Sequence, residues 1–138
     1  MNMKLPPVPE TTPECKLTIM NAGFCTTKRS HLIKGANSLD ISVPALLFLI
    51  NHPIQGNILF DTGYSTRYFE ATKKLPFSLM NKVTPVQITE KENAINQLLE
   101  MNITAKDIRT VILSHLHADH AGGIADFNNS TIYVDEKE

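Results

Sequence analysis

Three of the five histidines in this chain, His115, His117 and His120, fall within six positions, and Asp119 stands among them. Neutral imidazole is the commonest protein ligand for metals. A carboxylate beside imidazoles, with no thiolate in the group, suits zinc, iron, manganese or cobalt rather than copper(I) or an iron–sulfur cluster. His115, His117, Asp119 and His120 are therefore read as metal ligands. If the chain runs extended here, His115 and His117 project to one side while Leu116 and Ala118 point back into the protein. Asp119 and His120 diverge from that pair, which calls for a second, adjacent ion. The expected cofactor is a pair of divalent metal ions, zinc foremost. The bland alternative is a solvated, histidine-rich loop. A spacing this specific, at a strand end and just before Gly122-Gly123, argues against it.

Such a loop needs a rigid base. Val111-Ile112-Leu113 is a short, partly β-branched apolar run that reads as a buried strand, and Gly122-Gly123 would let the backbone turn sharply behind the ligands. Ala45 to Ile50 is apolar at every position, the pattern of a strand in a sheet covered on both faces. His52 to Gly56 then supplies a turn, and Asn57 to Asp61 returns as its hairpin partner. Lys16 to Met20 also has strand character, with a turn at Ala22-Gly23 and a polar loop from Thr26 to Ser42. His31 in that loop and His52 in the turn read as solvated surface residues. Thr89 and Glu92 form a capping box for a helix with Ile95, Leu98 and Leu99 on one face, and Thr104 to Asp107 offers a second cap. Thr131 to Val134 is one more strand. Between Tyr64 and Ile88 the chain has no clean period. Its aromatics Tyr64, Tyr68, Phe69 and Phe77 mix with Arg67, Lys73, Lys74 and Lys82. A long connection of this kind is usually functional or mobile: an apolar face on it would cover a substrate with a greasy tail, or it forms a short helix packed on the core.

The length of 138 residues predicts one domain. Its composition, 42% hydrophobic and 20% charged, is that of a soluble globular protein. A net charge of −1 gives no reason to expect nucleic acid or a membrane as partner. Pro6, Pro7, Pro9 and Pro13 mark residues 1–14 as an extended arm, leaving 15–138 as the domain. No apolar run has signal-peptide form, and Pro44 to Ile50 is far too short to span a bilayer, so the cytoplasm is the expected compartment. Cys15 and Cys25 read as reduced, structural residues.

His115-Leu-His-Ala-Asp-His120, preceded by Ser114 and followed by Ala121-Gly122-Gly123, resembles the HxHxDH signature of the metallo-β-lactamase-fold hydrolases. Asn57-Ile-Leu-Phe-Asp61-Thr62-Gly63 resembles a second mark of that superfamily. The resemblance implies an α/β fold, an αββα sandwich of two similar halves with the metals at the seam. This chain would be about its N-terminal half, incomplete at the C-terminus. It implies Asp61 as a carboxylate behind the ligands, which agrees with the habit of metal-bound imidazoles of donating their other N–H to such a group. It implies Asp119 as a catalytic residue, able to accept or pass a proton as well as hold a metal.

Among the branches, the layout from Ala22 to Thr62 and the aromatic insert after it are most similar to the N-acyl-homoserine lactonases, quorum-quenching enzymes that open a lactone ring. A small ester or lactone is then the substrate. A thioesterase of the glyoxalase II kind and a non-catalytic metal-binding remnant are the alternatives. Counterparts of the family's later ligands are absent, so the chain alone is expected to be inert. Its apolar sheet face would seek a second copy or the missing C-terminal half.

Overall fold

The computed structural model describes residues 12–137. Residues 1–11 of the expected arm lie outside them. The first strand, β1 (Lys16–Lys28), pairs antiparallel with β2 (Asp40–His52), from Lys16 opposite Asn51 to Lys28 opposite Asp40. The turn expected at Ala22-Gly23 is instead an irregularity within the strand. The register shifts between Asn21 and Phe24, and Gly23 takes a left-handed φ of 90°. A bulge absorbs extra residues without ending the pairing, so the strand continues through Thr26 and Thr27. The expected loop shrinks to the short helix α1 (Arg29–Leu32) and the turn after it. His31 is exposed on α1, and both cysteines are free thiols.

β2 folds back into β3 (Gly56–Phe60). His52 sits in that turn with a task, because its Nδ1 accepts the backbone N–H groups of Ile54 and Gln55 at 3.1 and 3.0 Å. β3 pairs in parallel with β5 (Ile108–Ile112), and β5 in parallel with β6 (Thr131–Tyr133). With β4 (Val86–Gln87) against β1, the sheet order is β4-β1-β2-β3-β5-β6.

Parallel neighbours need a crossover. Between β3 and β5 it consists of α2 (Arg67–Ala71), α3 (Phe77–Val83), β4 and α4 (Ala94–Glu100). The Thr89–Glu92 capping box forms, but it opens a single 3-10 turn, Glu90–Glu92. α4 starts one residue later, after the buried Asn93, and it buries Ala94 and Leu98. Leu99, expected on the inner face, is half exposed, because the buried stripe runs through Ala94 and Leu98 and the next residue stands about 100° round the helix from it. The second box forms as read. Thr104 N and Oγ1 both donate to Asp107, and these bonds hold that carboxyl below its usual range.

The core lies on one side of the sheet. Ala45, Leu47 and Leu49 of β2 pack with Leu59, Val111, Leu98 and Phe127. The intervening residues face the other way, where Leu46 is 40% and Ile19 of β1 62% exposed. The all-apolar strand is thus covered on one face only by the described residues, contrary to the two covered faces expected. Among those residues no helix is long and apolar enough to cross a membrane.

The two faces make different demands on substitution. Leu47→Ala, at a fully buried site, should cost about 2–5 kcal/mol in urea unfolding. Leu17→Ala, on the open face and 57% exposed, should change stability by less than about 0.5 kcal/mol.

Candidate metal centre

The chain leaves the sheet after Ile112, and Leu113 N still reaches across, to Tyr133 O at 2.8 Å. Without a neighbouring strand to hold it, the extended alternation lapses. Leu116 is 50% exposed and Ala118 is exposed too, so neither points inward as expected. His117 stays extended as the residue before α5 (Ala118–Ala121).

That single helical turn decides how the donors meet. It swings Asp119 and His120 back toward His115, and one ligand atom from each of the three lies within 4.8 Å of the others. The His115 and His120 ring centres are 4.0 Å apart. His117 lies beside this group, its ring 4.6 Å from that of His115, but is not one of the three. The grouping differs from the His115/His117 and Asp119/His120 pairs anticipated from an extended chain. Two imidazoles and a carboxylate, half-buried together, are a donor set that fits a borderline divalent ion such as zinc.

Behind them stands Asp61, buried and in the left-handed region at φ 60°. Its Oδ1 accepts Ser114 N at 2.8 Å, and its Oδ2 accepts Ser114 Oγ at 2.9 Å. The same Oδ2 is 2.8 Å from His120 Nδ1. That contact turns His120 Nε2 toward Asp119, 3.3 Å away. A carboxylate that receives one imidazole nitrogen and so aims the other is the usual support of a histidine ligand. Ser114 Oγ also lies 3.0 Å from His115 Nδ1, linking both imidazoles to one buried anion.

Thr62 locks the far end of the loop. Its N and Oγ1 both donate to His120 O, at 2.6 and 2.9 Å, and its Oγ1 accepts Gly123 N at 3.1 Å. The glycine pair serves this contact rather than a sharp turn, since both residues have ordinary negative φ. A Cβ on Gly122 would stand 2.5 Å from Ala118 O and 2.8 Å from Gly63 O, and one on Gly123 2.9 Å from Thr62 O. Just beyond, Asp126 accepts both guanidinium nitrogens of Arg67, at 2.9 and 2.7 Å. This fork ties the start of α2 to the loop. Ser114 and Thr62 were visible in the sequence only as neighbours of the two motifs. Nothing local announced Arg67 or Asp126, whose meeting depends on the crossover.

A cavity of about 480 Å³ opens beside the cluster. His117 and Asp119 form its polar end; Tyr64, Tyr68, Leu79 and Val83 form the rest of its wall, with Thr84 and Ala118. Tyr64 and Tyr68 meet edge to face at 5.6 Å. Burial, chiefly, pushes the Tyr64 phenol well above its ordinary range, with Cys25 and Asp119 adding to the shift, so it stays protonated. The insert between the two motifs therefore supplies an apolar wall next to the histidines.

Residues 43–137 match the model of the metallo-beta-lactamase superfamily, well over half of the chain. The chain belongs to that superfamily. Within this group of metal-dependent hydrolases it is similar to the N-acyl homoserine lactonase AttM of Azorhizobium caulinodans, 28% identical over 126 residues. Those residues are 91% of this chain and 47% of that relative. The N-acyl homoserine lactonase of Bacillus cereus is 30% identical, matched over 89% of this chain and 49% of its own length. Among solved structures, the fold matches an N-acyl homoserine lactone hydrolase with the product N-hexanoyl-L-homoserine bound at its catalytic metal center. The TM-score is 0.74 at 26% identity, over 88% of this chain and 48% of that one. The chain therefore spans about half the length of the relatives it matches, and its fold is the corresponding part of the metallo-β-lactamase fold.

The supporting carboxylate is the sharpest handle on this centre. Asp61→Asn should leave the chain folded and lower zinc affinity by about 10–100-fold. His115→Ala and His120→Ala should lose more. Metal content after dialysis against a weak chelator measures this, and a retained metal load in the His115→Ala/His120→Ala double variant would remove the site.

Proposed function

We propose that this chain is the metal-binding half of a hydrolase that opens acyl lactones, N-acyl-homoserine lactones in particular. His115, His117, Asp119 and His120 are its metal ligands, and zinc is the metal that best suits them. One observation carries the reading: a cluster of imidazoles and a carboxylate opens directly into an apolar cavity. An acyl lactone has that same division, a compact polar ring and a greasy tail. The lactonase relatives, in both sequence and structure, support the assignment.

A bound divalent ion of this kind polarises a carbonyl and brings the pKa of a water to about 7, so that hydroxide is available at neutral pH. The chain's own residues do the rest. Asp119 stands where the cluster meets the cavity and is placed to take the proton lost by the attacking water and return it to the ring's departing oxygen. His117, on the cavity wall, borders the reacting carbonyl. Tyr64 and Tyr68 hold the acyl chain and keep solvent from that side, and the protonated Tyr64 hydroxyl adds no charge to it. Asp61 and Ser114 orient the imidazoles.

Four donors are too few to give two ions the three protein ligands apiece that catalytic zinc normally takes. The chain by itself is accordingly inert in this reading. The remaining donors come from a longer protein of which these residues are part, or from a second copy.

Two measurements test the proposal. The longer protein carrying this sequence should hydrolyse N-acyl-homoserine lactones in a metal-dependent way. Turnover of a glutathione thioester alone would transfer the assignment to the thioesterase reading. In the active protein, Tyr68→Ala should raise KM for a decanoyl lactone by about tenfold through loss of an aromatic wall, with a much smaller effect on a butanoyl lactone. An equal effect on both would take the acyl chain out of this cavity.

A further inference from the structure

The wall of the cavity does not stop at its mouth. Leu79 and Val83 line the cavity and are also 54% and 73% exposed. Leu75 is 73% and Phe77 55% exposed, so four large apolar side chains within nine residues stand in solvent. Leu79 and Val83 are spaced by four within α3, which places them on one side of that helix, and Leu75 and Phe77 stand at its start. Single exposed leucines are normal on a protein surface. Four in one short segment, two of them on the wall of an open cavity, mark an interaction surface.

Charge says what kind. Lys74 and Lys82 adjoin the two ends of this set, both exposed and without an ion pair among the described residues. Lys73 pairs with Glu70, the only acid from residue 64 to residue 88. That stretch holds four of the chain's thirteen cations and one of its fourteen acids. The net charge of −1, which gave no reason to expect a membrane, averages over this local excess. Apolar side chains flanked by lysines are the composition of segments that lie in a lipid interface. A second copy is the poorer occupant, because a twofold contact would bring Lys74 and Lys82 of both copies together.

We propose that the Leu75–Val83 surface docks on an anionic lipid bilayer, with Leu75, Phe77, Leu79 and Val83 at the acyl boundary and Lys74 and Lys82 against the headgroups. The cavity mouth then opens at the membrane surface, where an amphiphilic molecule already resides. The docking does not depend on the lactonase assignment, since it requires neither metal nor turnover.

Sedimentation with vesicles tests it. The chain should bind vesicles of phosphatidylcholine and phosphatidylserine in equal parts, and bind phosphatidylcholine alone far more weakly. Each lysine contributes about fivefold on an anionic surface, so Lys74→Glu/Lys82→Glu should lower partitioning by at least about twentyfold. Leu75→Ser/Phe77→Ser should abolish it, and because both pairs lie at exposed positions, circular dichroism should show an unchanged fold in each. Leu17→Ser/Ile19→Ser, on the open sheet face, should leave binding unchanged. Equal binding to neutral vesicles, survival of binding in the lysine variant, or loss of binding in the sheet-face variant would each overturn the proposal. So would a lipid-free dimer that Leu75→Ser/Phe77→Ser dissolves, which would assign this surface to a second copy.

Discussion

The buried carboxylate of Asp61 is the constraint on which the site depends. An anion 3% exposed is costly to bury without donors. The protein meets that need with Ser114 N, Ser114 Oγ and the His120 ring, all from the loop after β5. The parallel pairing of β3 and β5 makes this geometrically available, since Phe60 lies opposite Ile112 and Asp61 N donates to Ile112 O at 2.8 Å. The left-handed backbone at Asp61 then turns its side chain toward the loop, a conformation that aspartate tolerates better than most residues. Strand pairing fixes the turn, and the turn fixes the histidines.

The segment that walls the cavity is held differently. Its root is tied by polar clamps: Tyr64 N donates to Ala22 O, Asn93 exchanges hydrogen bonds with Thr66, and Arg67 forks onto Asp126. Tyr64 and Ser65 at that root are buried, whereas Leu75 to Val83 largely are not. The wall is therefore positioned from its two ends, by these directional bonds at the root and by the pairing of β4 with β1 just beyond Val83. A change at Arg67 or Asn93 would move the cavity relative to the donors without touching either.

Local signals were legible in the sequence in proportion to how local their physics is. The two capping boxes, the β2–β3 hairpin and the strand leading to the donors could be read because neighbours in sequence make those contacts. Where long-range pairing overrides local preference, the reading failed. Gly23 looked like a chain reversal, yet a bulge opposite β2 carries β1 on to Lys28. Ala45 to Ile50 suggested cover on both faces, but composition cannot say which chain supplies the second cover. The residues that the structure gathers, His115, Asp119 and His120, stood out in the sequence. Their grouping was not, because it depends on one turn of helix at Ala118–Ala121 that Gly122 and Gly123 permit by letting Thr62 and Gly63 come close.

The spread of the site along the chain has a thermodynamic consequence. The four ligands proposed in this chain lie between His115 and His120, whereas Asp61 and Thr62, which contact that loop, sit more than fifty residues earlier. An unfolded chain therefore already carries a recognisable chelating peptide and lacks only its rigidity. A ligand that binds both forms stabilises the native one by the ratio of its two affinities, not by the stronger affinity alone. Metal would then reach the nascent chain before the sheet exists, and folding would tighten a complex formed earlier. In the proposed centre, the distant aspartate and threonine, rather than the histidines, would set how much metal binding and folding reinforce each other.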